Sequence, residues 1–561
     1  MKKTFKRLGA MLLAMAMAVS VLCTGALADD NAPKTYTIQT DTEDTHSYSV
    51  YQIFTGTLAM DEKTLSDVKW GKNGKNDTAA ATEGTAVPEV VLTELANVKD
   101  STSNKEKLTV IKKYVDVNGT AYGTVSKDSP LSNVPAGYYL IKDSTAVTGN
   151  DAATNYIVEV GADINITRKT GVPEVDKTVN GKAADTANIG DEVEFKLFAT
   201  LPNNYEDYSS YKLVFNDTLS AGLTLTDDEL NALTVKVYTS KENATSDSNG
   251  VELKKDDTNG YSAVKVNDND NKTKLTVSFT DLKKAQQKDS DTTADIKNNY
   301  CVVVTYKATL NENAVLGGTG NLNTVNLTYS NDPNNASEGT TTDKEVPVYT
   351  FQMNVVKTDG ENSLSDAKFV LATKKLTKTE DATATDVNVI TSDDIETYKA
   401  DLVAVTKNTD PTYTVGGSSY EMTVSAADAT KGQLNIKGLK DGTYYLYETQ
   451  SPDGYNKLTE PIKIEIKAGV TEGTDPVFNG AVSAEVTSKN TDGTDKTENI
   501  TEKTSETEKG ILNEITVVNN AGSQLPSTGG MGTTLFYIFG GVLMAGAAIV
   551  LVIKKKRSSA E

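Results

Sequence analysis

The chain is short of the residues that most enzymes are built on. It has one histidine, His46, and two cysteines, of which only Cys301 lies beyond the first 28 residues. A Ser-His-Asp or Cys-His arrangement would have to use His46, which stands in a Thr/Asp-rich lead-in. No cysteine–histidine cluster can be assembled to hold zinc. Asp268-Asn269-Asp270 opens like a calcium loop, but Lys272 takes the next ligand position and no glycine follows, so it reads as a hairpin turn. There is no Gly-rich phosphate loop. We therefore expect no metal, no cofactor and no enzymatic turnover. Cations are also scarce: 56 Lys and Arg face 77 Asp and Glu, a net charge of −21. That surface argues against nucleic acid as a partner. With Cys301 alone no intramolecular disulfide can form, and in the β-rich run from Tyr300 to Leu310 it reads as a buried apolar residue.

What is present begins with the two ends. Lys2, Lys3, Lys6 and Arg7 precede an apolar run from Leu8 to Leu22, and Ala26-Leu27-Ala28 supplies small residues for cleavage. This is a secretory leader over 1–28, cut between Ala28 and Asp29. Cys23 follows Ser20-Val21-Leu22, which lacks the small residues of a lipoprotein signal. At the other end, Leu535 to Ile553 is long enough to span a bilayer as a transmembrane helix. The cluster Lys554, Lys555, Lys556 and Arg557 then keeps the C-terminus in the cytoplasm. Ahead of both stands Leu525-Pro526-Ser527-Thr528-Gly529. The order L-P-x-T-G, apolar helix, basic tail resembles the sorting signal of Gram-positive surface proteins. The resemblance implies that sortase, a membrane transpeptidase, cleaves between Thr528 and Gly529 and passes the Thr528 carbonyl to an amine. The product is a secreted protein fixed to the peptidoglycan of the cell wall.

Between the ends, short alternating runs rich in Val, Thr, Tyr and Ile are broken by Gly, Asn and Asp turns. Tyr36 to Ile38, Leu108 to Ile111, Tyr156 to Val160, Lys274 to Phe279 and Ile462 to Ile466 are examples of expected strands. Thr226 to Leu233 and Ser392 to Val403 are expected short helices. The fold class is all-β, in tandem immunoglobulin-like sandwiches. Pro and Gly interruptions at Gly171-Val172-Pro173 and Glu345-Val346-Pro347 divide the chain into modules over 29–170, 171–346 and 347–522, followed by the sorting region 523–561. Segments 240–300 and 375–432 read as polar insertions. Pro135-Ala136-Gly137-Tyr138-Tyr139-Leu140 is echoed by Lys440-Asp441-Gly442-Thr443-Tyr444-Tyr445-Leu446.

Strand parity adds a chemical clue. Lys177 shares a face with Val175 and Val179, Asp217 with Leu213 and Phe215, and Asn331 with Leu327 and Tyr329. The third module repeats the set: Lys357 with Phe351, Met353 and Val355; Glu448 with Tyr444 and Leu446; Asn519 with Ile515 and Val517. Burial disfavours charge, so an inward lysine tends to lose its proton and an inward acid to keep one. A neutral amine is a nucleophile, and a protonated carboxyl can polarise an amide and shuttle protons. Held together by a fold, Lys and Asn can join with loss of ammonia. Orientation is worth up to ~7–11 kcal/mol of the barrier.

Tyr444 to Thr449, followed by Ser451-Pro452-Asp453-Gly454-Tyr455, resembles the E-box of Cna-B-type pilin domains. Asn216 to Ser220 with Ala221-Gly222-Leu223 resembles the acid-bearing segment of fimbrial isopeptide-forming domains. The whole mature chain is similar to the major (backbone) subunits of sortase-assembled Gram-positive pili. The resemblance implies isopeptide bonds Lys177–Asn331, assisted by Asp217, and Lys357–Asn519, assisted by Glu448. Asn520 competes with Asn519; parity favours Asn519. In the first module Lys142 stands where the E-box has its acid, so no bond is expected there.

The family also joins subunits through a lysine at the first junction, in a segment resembling V-Y-P-K-N. Here Asp163 to Gly171 aligns Lys169 with that acceptor, but Thr167-Arg168 replace Tyr-Pro. The resemblance implies a pilus shaft supporting adhesion, with Thr528 of one copy joined to Lys169 of the next. The alternative is a monomeric wall-anchored adhesin, or an accessory tip or base pilin, using the sorting signal alone. The surface the protein adheres to is not legible.

Overall fold

The computed structural model describes residues 34–522, apart from 59–64, 78, 98–108, 168–170, 334, 381–382, 473–476 and 491–492, together with the strand Val19–Val21. Ala28, Asp29, Lys169 and the sorting signal from Leu525 to Gly529 lie outside the described residues. Among the described residues no helix is long and apolar enough to cross a membrane.

The chain forms two compact units. One comprises 1–185, 192–313 and 321–348; the other comprises 186–191, 314–320 and the chain from 349. All-β architecture holds in both, as sheets built largely from antiparallel pairs. In the first unit the N-terminal sandwich sets Thr35–Thr40, Leu131–Pro135 and Ile164–Ile166 against Ser47–Leu58, Leu65–Trp70, Gly137–Asp143 and Asn155–Val160. It buries two clusters, one with Ile53, Trp70 and Tyr138 and one with Tyr48, Val50 and Tyr139, so the adjacent Tyr138 and Tyr139 serve opposite faces of their strand. One expected strand is corrected here. Residues 109–112, overlapping the run Leu108 to Ile111, are helical. Ile111, Tyr114 and Val115 are buried in the core with Val110 packed against it, a spacing of three and four that suits a helix better than a strand. A helix over Glu89–Asn97, which periodicity did not reveal, buries Val91 and Leu95 one turn apart.

The second sandwich of this unit is organised by four strands: β1 (Glu174–Val179), β2 (Leu213–Leu219), β3 (Cys301–Leu310) and β4 (Asn321–Ser330). Strands β1 and β3 lie in one sheet, each paired to Glu192–Thr200; β2 and β4 pair antiparallel in the facing sheet. Burial alternates strictly along β4, so Asn321, Asn323, Val325, Leu327 and Tyr329 all face inward. The expected helix after Thr226 forms over Asp227–Ala232, with Thr226 and Glu229 making a capping box. Asp268 to Lys272 is a turn joining Ser262–Asn267 to Thr273–Phe279, closed by Asp268 N–H donating to the Lys272 carbonyl at 2.9 Å. The Asp268 carboxylate is occupied by the backbone N–H groups of Asp270 and Lys272. Cys301 is buried, and burial pushes its thiol up to about 11.

In the second unit, β5 (Phe351–Thr358) runs between Gln433–Leu439, antiparallel, and β7 (Ile511–Val518), parallel; β6 (Gly442–Gln450) belongs to the other sheet. The first and last strands of the sandwich are therefore neighbours, with Lys357 opposite Val517. Residues 392–401 form three short turns, Ser392–Asp394, Ile395–Tyr398 and Lys399–Asp401, in place of one continuous helix.

Candidate functional site

The inward lysine–acid–amide sets come together differently in the two units. In the second unit, Lys357 is the penultimate residue of β5, and the chain leaves β7 at Asn519, whose N–H donates to the Thr358 carbonyl at 3.0 Å. That bond fixes Asn519 beside the lysine. Lys357 Nζ donates to Asn519 Oδ1, and to the Val517 carbonyl at 3.1 Å. Asn519 Nδ2 donates to both oxygens of Glu448, at 3.0 and 3.1 Å, and Glu448 Oε2 also accepts from Leu458 N–H at 2.8 Å. Lys357 Nζ lies 4.0 Å from Glu448 Oε1. All three residues are buried, while Asn520 is exposed. Burial pushes the Lys357 ammonium down to about 8 against the opposing pull of Glu448, and burial raises the Glu448 carboxyl. An amine losing its proton and an acid keeping one are the states that amide transfer requires.

In the first unit Lys177 and Asp217 are also brought together, both with fully buried side chains and in direct contact. Burial pushes Lys177 down to about 8, opposed by Asp217. Asn331 does not join them, which corrects the sequence expectation. Asp217 is level with Val325 on β4, and Asn331 is six residues farther along, roughly 20 Å at the rise of a strand. Asn331 is buried for another reason. Its carbonyl accepts from Ala153 N–H at 2.7 Å, and its side-chain oxygen accepts from Ser337, at a seam where Asp151 also takes the Tyr329 hydroxyl. The amide that shares the lysine's cluster is Asn323, two residues from Val325 on the same face and 0% exposed. Asn323 Nδ2 donates to the Tyr306 hydroxyl at 2.6 Å, and Tyr306 in turn donates to Asp217 Oδ2. Asn323 Oδ1 is buried with no hydrogen-bond partner among the described residues. Parity alone marked the correct face of β4; the register against Asp217, which selects Asn323, is a tertiary fact.

Elsewhere the N-terminal sandwich buries no lysine among its described residues, and Lys142 is half-buried. His46 is buried between two carboxylates, Nδ1 at 2.7 Å from Asp143 and Nε2 at 2.9 Å from Asp151. Both ring nitrogens are thus committed to acids, with neither turned to a nucleophile.

A family profile for the LPXTG cell wall anchor motif matches residues 517–559. The chain carries an LPXTG cell-wall anchor motif. A second profile, for the SpaA prealbumin-like fold domain, matches residues 351–476, which include Lys357 and Glu448. The trypsin-resistant surface T6 protein of Streptococcus pyogenes serotype M6 is 26% identical over 446 residues, spanning 74% of each chain. Two solved structures overlap the fold: the T6 backbone pilin of S. pyogenes (16% identity, 89% of this chain and 100% of that one, TM-score 0.43) and the major pilin SpaD of Corynebacterium diphtheriae (16% identity, 89% and 100%, TM-score 0.42).

Proposed function

We propose that this chain is the shaft subunit of a covalently polymerised surface pilus, stiffened by two internal Lys–Asn bonds. The observation that carries the reading is Lys357 seated on Asn519 between adjacent first and last strands, with Glu448 on the departing nitrogen. Lys357 Nζ attacks Asn519 Cγ, the Cγ–Nδ2 bond breaks, and Glu448 delivers the proton with which ammonia leaves. The proton left on the new amide nitrogen returns to Glu448. In the first unit the corresponding bond joins Lys177 to Asn323, assisted by Asp217. The residues of the second-unit pair are 162 apart. A crosslink across so long a loop is worth about 5 kcal/mol by chain-entropy arithmetic. It also places a covalent bond between the strands through which tension enters and leaves the sandwich. This supplies the durability that a chain without disulfides otherwise lacks.

Sortase takes the Thr528 carbonyl and transfers it to Lys169 of another copy, or to peptidoglycan for the last subunit added. In cells carrying Lys169→Ala, the high-mass ladder on denaturing gels is expected to vanish while single subunits stay wall-bound. A surviving ladder contradicts Lys169 as the joint. A wall-bound monomer with no ladder in unaltered cells, unchanged by Lys169→Ala, favours the accessory or monomeric adhesin reading.

A further inference from the structure

Glu448 holds its amide directly, whereas Asp217 reaches its amide only through a phenol. Tyr306 projects inward from β3, and its ring stacks on Phe195 with centroids 5.5 Å apart and planes inclined by 30°. Lys177 Nζ lies 5.6 Å from the centroid of the same Phe195 ring. The Tyr306 hydroxyl donates to Asp217 Oδ2, whose other oxygen holds Lys177, and accepts from Asn323 Nδ2 at 2.6 Å. One unbroken line of hydrogen bonds therefore runs from the nucleophile through the acid and the phenol to the nitrogen that must leave. Burial, reinforced by Asp217, holds the phenol proton far above its ordinary range, so Tyr306 stays neutral. A neutral hydroxyl can give one proton while taking another.

We propose that Tyr306 is a catalytic proton relay for the Lys177–Asn323 bond, passing the proton of Asp217 to the departing amide nitrogen. This rests on the reading that Lys177 and Asn323 join. The reaction starts with one proton shared by Lys177 and Asp217 moved onto Asp217, leaving a neutral amine. Lys177 Nζ bonds to Asn323 Cγ, and the carbonyl oxygen takes the electron pair. Nδ2, no longer conjugated, becomes pyramidal and changes from donor to acceptor. Tyr306 then turns its O–H to Nδ2 and takes the proton of Asp217 Oδ2. The Cγ–Nδ2 bond breaks, ammonia leaves, and the carbonyl re-forms. The surplus proton on the new amide nitrogen returns to Asp217, so acid and phenol end as they began. Among the described residues no hydroxyl stands between Glu448 and Asn519, so the second-unit bond does not depend on such a relay.

The test follows both bonds in the same molecules, as crosslinked peptides from pulse-labelled full-length chain. Tyr306→Phe keeps the ring and removes the relay. It is expected to slow the Lys177–Asn323 bond by about a hundredfold or more, within the range of acid–base catalysis, with Lys357–Asn519 forming at its normal rate. Fluorinated tyrosines at position 306 keep both ring and hydroxyl while changing the proton affinity. The first-unit rate should track that affinity. Unchanged rates in Tyr306→Phe, or a flat fluorotyrosine series, overturn the relay while leaving the bond itself intact. Absence of the Lys177–Asn323 peptide from the unaltered chain overturns the underlying reading, and the relay falls with it.

Discussion

The two buried clusters use the same three residue types and differ in who touches whom. In the second unit the lysine is on the amide and the acid is on the leaving nitrogen. In the first unit the lysine is on the acid, and the amide is held one hydroxyl away. The difference follows from topology. Lys357 is on β5 and Asn519 directly follows the adjacent parallel β7, so backbone register and the Asn519 N–H bond to the Thr358 carbonyl align them. Lys177 and Asn323 come from facing sheets, so side chains must bridge the gap between layers. An inter-sheet bond needs an intermediary where an intra-sheet bond does not.

The strongest way to break the comparison is to remove one amide at a time. Asn519→Ala should leave the second unit unjoined and cost about 5 kcal/mol of crosslink stabilisation, read as a lower melting temperature and a mass lower than that of the variant's sequence by one ammonia in place of two. Asn323→Ala should do the same to the first unit, again about 5 kcal/mol, without touching Lys357–Asn519. Asn331→Ala is expected to keep both bonds. It forfeits the Ser337 contact at the seam for about 0.5–1.5 kcal/mol, the net worth of an ordinary hydrogen bond, since Ser337 is only half-buried. Ammonia retained in Asn331→Ala would reverse the assignment.

A finer test uses pH. In the unjoined Asn519→Ala chain Lys357 is a free amine, lowered to about 8 in the folded protein by burial and near 10.4 when unfolded. Between those values the unfolded state binds more protons, so stability should rise with pH from about 8 towards 10.4, and the destabilising contribution is full below 8. In the joined chain the nitrogen is an amide and that slope should be absent. Chemical denaturation across this window separates the two cases.

Much of this was legible in the sequence because strand parity is a local property. Lys177, Asp217, Lys357, Glu448 and Asn519 were marked as inward by their neighbours, and all five are buried. Asn331 was marked by the same logic and is buried too, but on the correct face at the wrong level. Asn323 on β4 and Asn331 one residue past its end have the same parity, and the pairing of Asp217 with Val325 distinguishes them. Tyr306 carried no signal beyond that of another aromatic in an apolar strand, since its role depends on a hydroxyl meeting two partners from the facing sheet. The helical turn at 109–112 was hidden because four apolar-rich residues fit either period. The burial of Ile111 together with Tyr114 and Val115 just beyond it fits a helical turn.

The most direct measurement is peptide mapping by mass spectrometry of the wall-released protein. The account predicts loss of two ammonia molecules per subunit, with Lys177 joined to Asn323 and Lys357 joined to Asn519. A subunit of unmodified mass, or a peptide joining Lys177 to Asn331, would contradict it.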